Sequence, residues 1–130
     1  MRRLALTGFA IWAGATIALR LAGQVMFRRL DALNVIVLLA VSLVVMIWVA
    51  RQLLPASGTV GDRAASAIAL VSPGMLLDAA SAIWFQSVFP NIRGDAAGVF
   101  GGWLLFCNLV VLMVAVLPEQ RRSPDRMPTL

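Results

Sequence analysis

The chain has 130 residues, of which 61% are apolar and only 13% charged, with a net charge of +5. Soluble domains run at roughly 45–50% apolar and about 25% charged, so a water-covered globule is excluded and a bilayer-embedded chain is indicated. All the basic residues are Arg, and they flank apolar runs instead of gathering in one tract, so nucleic-acid binding is not expected.

Residues 1–118 read as one all-α domain, a membrane-embedded antiparallel four-helix bundle. A spanning helix needs about 20 mostly apolar residues. Four segments meet that length, at about residues 4–27, 33–50, 64–89 and 96–117. The connections are short, which makes consecutive helices antiparallel neighbours.

The first span opens with Met1-Arg2-Arg3, as a secretory signal would. Its apolar run is too long for a signal core and no small-x-small site closes it, so it reads as an uncleaved helix. Ala10, Gly14 and Ala18 form a small-residue stripe at four-residue spacing, a pattern that lets helix backbones approach closely in lipid. Arg20 is a basic residue well inside the span, and Gln24 follows one turn later on the same face.

The second span is Val, Ile and Leu with one serine, Ser42, and reads as the most lipid-exposed helix, without chemistry. The third span carries the sequence's main puzzle. Asp78 sits inside an apolar run, one turn after Pro73-Gly74. An ionised Asp at the centre of a span costs about 2.5–3.5 kcal/mol on insertion scales, so it should face the bundle and have a partner. Pro73 cannot donate to the carbonyl of Ala69, which predicts a kink there.

Arg20 is the expected partner. With both termini on one side, the first and third helices run the same way. Arg20 and Asp78 then lie about 24 Å and 21 Å along them. A polar seam of Gln24, Ser81, Gln86 and Asn108 is expected beside this Arg20–Asp78 pair. Such a pair can fix helix register, or serve a substrate, ion or proton; both readings stay open.

The fourth span begins with Gly94, Gly98 and Gly102 at four-residue spacing, read as a tight packing stripe. Its partner is either another helix of this chain, a second copy, or another membrane protein. Cys107 is a single thiol in an apolar run and reads as a small buried hydrophobe. Residues 119–130 are polar and proline-containing, and are expected to be a disordered tail.

Arg2, Arg3, Arg51, Arg63, Arg121, Arg122 and Arg126 fall on the side of the termini, against Arg28, Arg29 and Arg93 on the other. The bias places both termini in the cytoplasm of a bacterial inner membrane, although the Arg28-Arg29 pair opposes it.

The strings RLAGQVMF (Arg20–Phe27), PGMLLD (Pro73–Asp78), VFPN (Val88–Asn91) and FGGWLLF (Phe100–Phe106) resemble those of a family of small bacterial four-helix membrane proteins classed as a domain of unknown function. The resemblance implies that the Arg of the first span and the Asp of the third belong to a shared pattern. It supplies an architecture and no activity.

Two functions compete. One is a non-enzymatic accessory or assembly protein. The other is a small proton- or ion-coupled transporter using Asp78. The size and span count resemble small multidrug exporters, but those place a Glu in the first helix and this chain has none in any span. An enzyme is not expected: one carboxylate inside the spans, no His and no Lys leave no aspartyl pair, Ser–His or Ser–Lys set. No metal or other cofactor is expected from a chain with one Cys and no His.

Overall fold

A computed structural model of the chain describes residues 1–117. The tail assigned to residues 119–130, with Arg121, Arg122 and Arg126, lies outside the described residues. Four helices are long and apolar enough to span a membrane. They are α1 (Arg2–Met26), α2 (Ala32–Leu53), α3 (Val60–Ile83) and α5 (Ala97–Val116), with a short α4 (Phe85–Val88) after α3. A 3-10 turn, Gly94–Ala96, leads into α5. No strand occurs among the described residues, so the all-α bundle stands.

Local chemistry sets the helix ends. Asp31 caps α2 by accepting from the backbone N–H of Asn34 at 3.4 Å. Thr59 caps α3 through a capping box. Its hydroxyl oxygen accepts from the Asp62 N–H at 3.1 Å, and the Asp62 carboxylate accepts from the Thr59 N–H at 2.9 Å. That box starts α3 at Val60, a turn before the apolar run begins. At the other end α3 runs through Pro73 without a break and stops at Trp84, so the expected 64–89 span is divided between α3 and α4.

The helices pack in the order α1, α3, α5, α2, with α3 between α1 and α5. Connected helices alternate in direction as expected, so α1 and α3 run parallel, but the expectation that consecutive helices are neighbours is corrected for α2, which packs mainly on α5 while α1 lies along α3. Gly8 meets Leu70, Trp12 meets Gly74, and Gly23 meets Ile92, each pair further along both segments. The closest approach is at Gly8, where a Cβ would fall 1.8 Å from the Leu70 carbonyl oxygen. Only a residue without a side chain allows that backbone contact.

Two buried clusters lie at opposite ends of the bundle. One joins Ala50 of α2 and Leu54 just past its end with Ala67, Leu70 and Val71 of α3 and Val111 and Ala115 of α5. The other is aromatic: Phe27, Phe85, Phe89 and Phe100 with Leu19, Ile92 and Ala96. Phe100 is its hub, with ring centroids 4.9 Å from Phe89, 5.1 Å from Phe85 and 5.6 Å from Phe27. Tilted and edge-on geometries at these distances add about 0.5–1.5 kcal/mol per pair beyond area burial. Asp78 falls between the two clusters.

The small-residue stripes do not make these contacts. Ala10, Gly14 and Ala18 are exposed, and a Cβ at Gly14, Gly98 or Gly102 would meet nothing within 4 Å. Gly94 belongs to the 3-10 turn beside Gln86, not to a helix–helix seam. The packing assigned to these stripes is therefore corrected within the chain. The glycines that α1 buries, Gly8 and Gly23, lie on a different face.

Candidate functional site

Asp78 lies on the part of α3 that both α1 and α5 approach. Its carboxylate is held from both sides by neutral donors. The indole Nε1–H of Trp12, on α1, donates to Oδ1 at 3.0 Å. The Nδ2–H of Asn108, on α5, donates to Oδ2 at 3.3 Å and also to the Leu104 carbonyl at 3.0 Å. One side chain thus ties three helices together. Trp12 is about 15 Å along α1 and Asn108 about 16 Å along α5, so the contact sits near the middle of both helices.

The expected Arg20–Asp78 pair is not formed. Among the described residues the one ion pair is Arg93–Asp95, exposed on the loop before α5. Depth does not separate Arg20 from Asp78. In the register set by Gly8–Leu70 and Trp12–Gly74, Arg20 is level with Ala82, about 6 Å past Asp78. Helical phase separates them. At about 100° per residue, Gly8, Trp12, Leu19 and Gly23 share a sector of roughly 60° facing α3, and Arg20 points about 90° away from its centre. Arg20 is exposed accordingly.

The polar seam also divides. Asn108 joins Asp78. Gln24 belongs to a separate cluster nearer the α4 end, where Asn91 Nδ2–H donates to the Gln24 side-chain oxygen at 2.7 Å and to the Leu19 carbonyl at 2.9 Å. The Gln86 amide donates to the Ile92 carbonyl at 3.4 Å in the loop. Ser81 is buried on α3. The structure adds two further polar ties. The Trp103 indole donates to Ser42 at 2.7 Å, so α2 carries a polar tie after all. Arg63 donates to the Val114 carbonyl at 3.1 Å, where a guanidinium satisfies a carbonyl in the last turn of α5.

Beside Asp78 lies a partly open cleft of about 220 Å³ between α3 and α5. Met75, Asp78, Ala79 and Ala82 line it from α3, and Gly101, Leu104, Leu105 and Asn108 from α5. Asp78 and Asn108 are its only polar side chains. The small side chains at Ala79, Ala82 and Gly101 leave the space; a Cβ at Gly101 would meet nothing within 4 Å. Gly74 has a different job, giving Trp12 room to lie across α3, with ring and Cβ atoms 3.9 Å from where its Cβ would be.

Among the described residues no group of three or more His, Cys, Asp or Glu side chains converges, so no metal-binding set is present there. What the site offers chemically is one carboxylate, two neutral hydrogen-bond donors and an apolar opening.

A family described as being of unknown function (DUF5367) matches residues 26–122. That stretch holds Asp78, Asn108 and the whole cleft, and leaves out Trp12 and Arg20. No curated protein and no solved structure matches the chain.

Proposed function

The chain belongs to that family of unknown function, and from the site we propose a small proton- or cation-coupled membrane carrier, with no enzymatic step, in which Asp78 is the group that takes the ion. The observation that supports this reading is a carboxylate midway along the apolar helices with no basic partner among the described residues, opening on a cleft. A purely structural Asp would be expected to be closed over. Intramembrane ionisable residues that face a cavity mark ion and substrate pathways in other membrane proteins. The arginine bias supports both termini lying on the cytoplasmic side of a bacterial inner membrane, against the opposing Arg28-Arg29 pair.

A second reading has its own observation. Trp12, Asp78 and Asn108 join α1, α3 and α5, which suits an accessory or assembly protein whose polar contact only fixes the packing. Everted membrane vesicles separate the two. They hold a respiration-driven pH gradient, and a panel of inorganic and organic monovalent cations is added. The carrier reading expects at least one cation to dissipate the gradient with the wild-type chain and not with Asp78→Asn at equal membrane abundance. Equal responses from both chains would leave the packing role alone.

A further inference from the structure

We propose that the Asp78 cleft takes a compact lipophilic amine in its ammonium form, entering sideways from the hydrocarbon core. The inference rests on the reading of Asp78 as a cation site and names its ligand class.

Three features select that class. The first is the coordination available. An inorganic cation gives up its water only for several oxygen ligands: calcium takes 6–8, and magnesium needs near-octahedral geometry. The cleft offers one carboxylate and one amide side chain, and the rest of its lining is apolar. The ion must therefore carry its own apolar coat.

The second is the count of open acceptor positions. A carboxylate has about four lone-pair directions. Trp12 and Asn108 occupy one on each oxygen. A secondary or tertiary ammonium brings one or two N–H donors and can satisfy both ends of the contact. A primary ammonium brings three into an apolar space, where an unmet donor is penalised.

The third is access and size. The cleft lies midway along the apolar helices, and its rim is on the outer surface of the bundle: Leu105 is 66% exposed, and Ala79 and Ala82 are part-exposed. A ligand reaching it from the side must dissolve in hydrocarbon. The volume of about 220 Å³ is below the roughly 300–1,000 Å³ of sites for drug-sized molecules, so the ligand is small.

The test uses the full chain in lipid nanodiscs with 15N-labelled tryptophan. The Trp12 indole N–H reports directly on the Asp78 carboxylate, and its resonance is assigned by its loss in Trp12→Phe. The probes are N,N-dimethylbutylamine at neutral pH, its uncharged carbon analogue 2-methylhexane, and sodium, lithium and magnesium chlorides. The amine should shift the Trp12 resonance saturably and leave those of Trp48 and Trp84 in place. Asp78→Asn should weaken the response at least tenfold. Gly101→Leu, which fills the cleft from a position with open space around it, should weaken it as much while the ligand-free Trp12 resonance stays where it is in wild type. That second variant separates a blocked cleft from a misfolded chain. An equal response to 2-methylhexane would make the cleft an apolar-chain site and overturn the proposal. A response to sodium or lithium with none to the amine would overturn the amine class and keep Asp78 as a cation site. No response to any cation would overturn both.

Discussion

Replacing Gly8 by Ala should separate α1 from α3. The new methyl would lie 1.8 Å from the Leu70 carbonyl oxygen and 2.9 Å from its carbon. Carbon–oxygen contacts settle near 3.3–3.6 Å, so the helices would have to part by about 1.5 Å. The obstacle is backbone, and no rotamer change relieves it. Two effects oppose each other. Ala is a better helix former than Gly by about 0.8–1.0 kcal/mol. Overpacking of this kind costs about 1–3 kcal/mol, occasionally more, and a shifted α1 also stretches the Trp12–Asp78 hydrogen bond, worth about 0.6 kcal/mol on average for such bonds in a membrane. The clash should win, for a net loss of about 1–2 kcal/mol. Gly14→Ala is the control on the same helix. Nothing lies within 4 Å of its Cβ, so only the propensity gain remains and the variant should be equal to or more stable than wild type. Both are read by denaturant titration in mild detergent. A Gly8→Ala chain as stable as Gly14→Ala would refute the close approach of α1 to α3.

Other expectations follow from the same geometry. Phe100→Ala, at the hub of the aromatic cluster and 1% exposed, should lose about 3–5 kcal/mol in the same titration. Thr59→Ala removes one side of the α3 capping box and should lose about 0.5–2 kcal/mol. Asp31, at the start of α2, has its carboxyl held below the ordinary 3.8, first by the Asn34 side-chain hydrogen bond. A lowered folded value means that its contribution is complete above 3.8 and is lost as pH falls through the lowered value. Acid titration followed by circular dichroism should therefore show wild type losing stability below pH 3.8 relative to Asp31→Asn, with no difference in slope between the two above about pH 5.

The four long apolar helices were legible because about 20 apolar residues in a row have few other uses. Asp78 was legible as the focus because a carboxylate there demands a partner. The partner was not legible from depth, which depends only on residue count and put Arg20 within a turn of Asp78. Helical phase decided the contact, and phase needs to know which face of α1 meets α3. A signal did exist. Trp12 lies in mid-span, away from the interface that suits indoles, and a buried indole N–H needs an acceptor; Trp12 shares its sector with Gly8, Leu19 and Gly23. The four-residue stripes misled because Ala10, Gly14 and Ala18 fit a packing pattern equally well on an outward face, where small residues leave lipid, or a second copy, free to approach. Gly8 was hidden because the residue one turn on is the bulky Trp12, which breaks the pattern in sequence and fits it in space against Gly74.

The central claim is that neutral donors, and not Arg20, hold Asp78. A pair of double-mutant cycles tests it most directly, with stability in detergent as the readout. One cycle combines Trp12→Phe with Asp78→Ala, which removes the acceptor, and the other Arg20→Ala with Asp78→Ala. The first should show a coupling energy of about 0.5–2 kcal/mol and the second a value within about 0.5 kcal/mol of zero. Coupling in the Arg20 cycle with none in the Trp12 cycle would contradict the account.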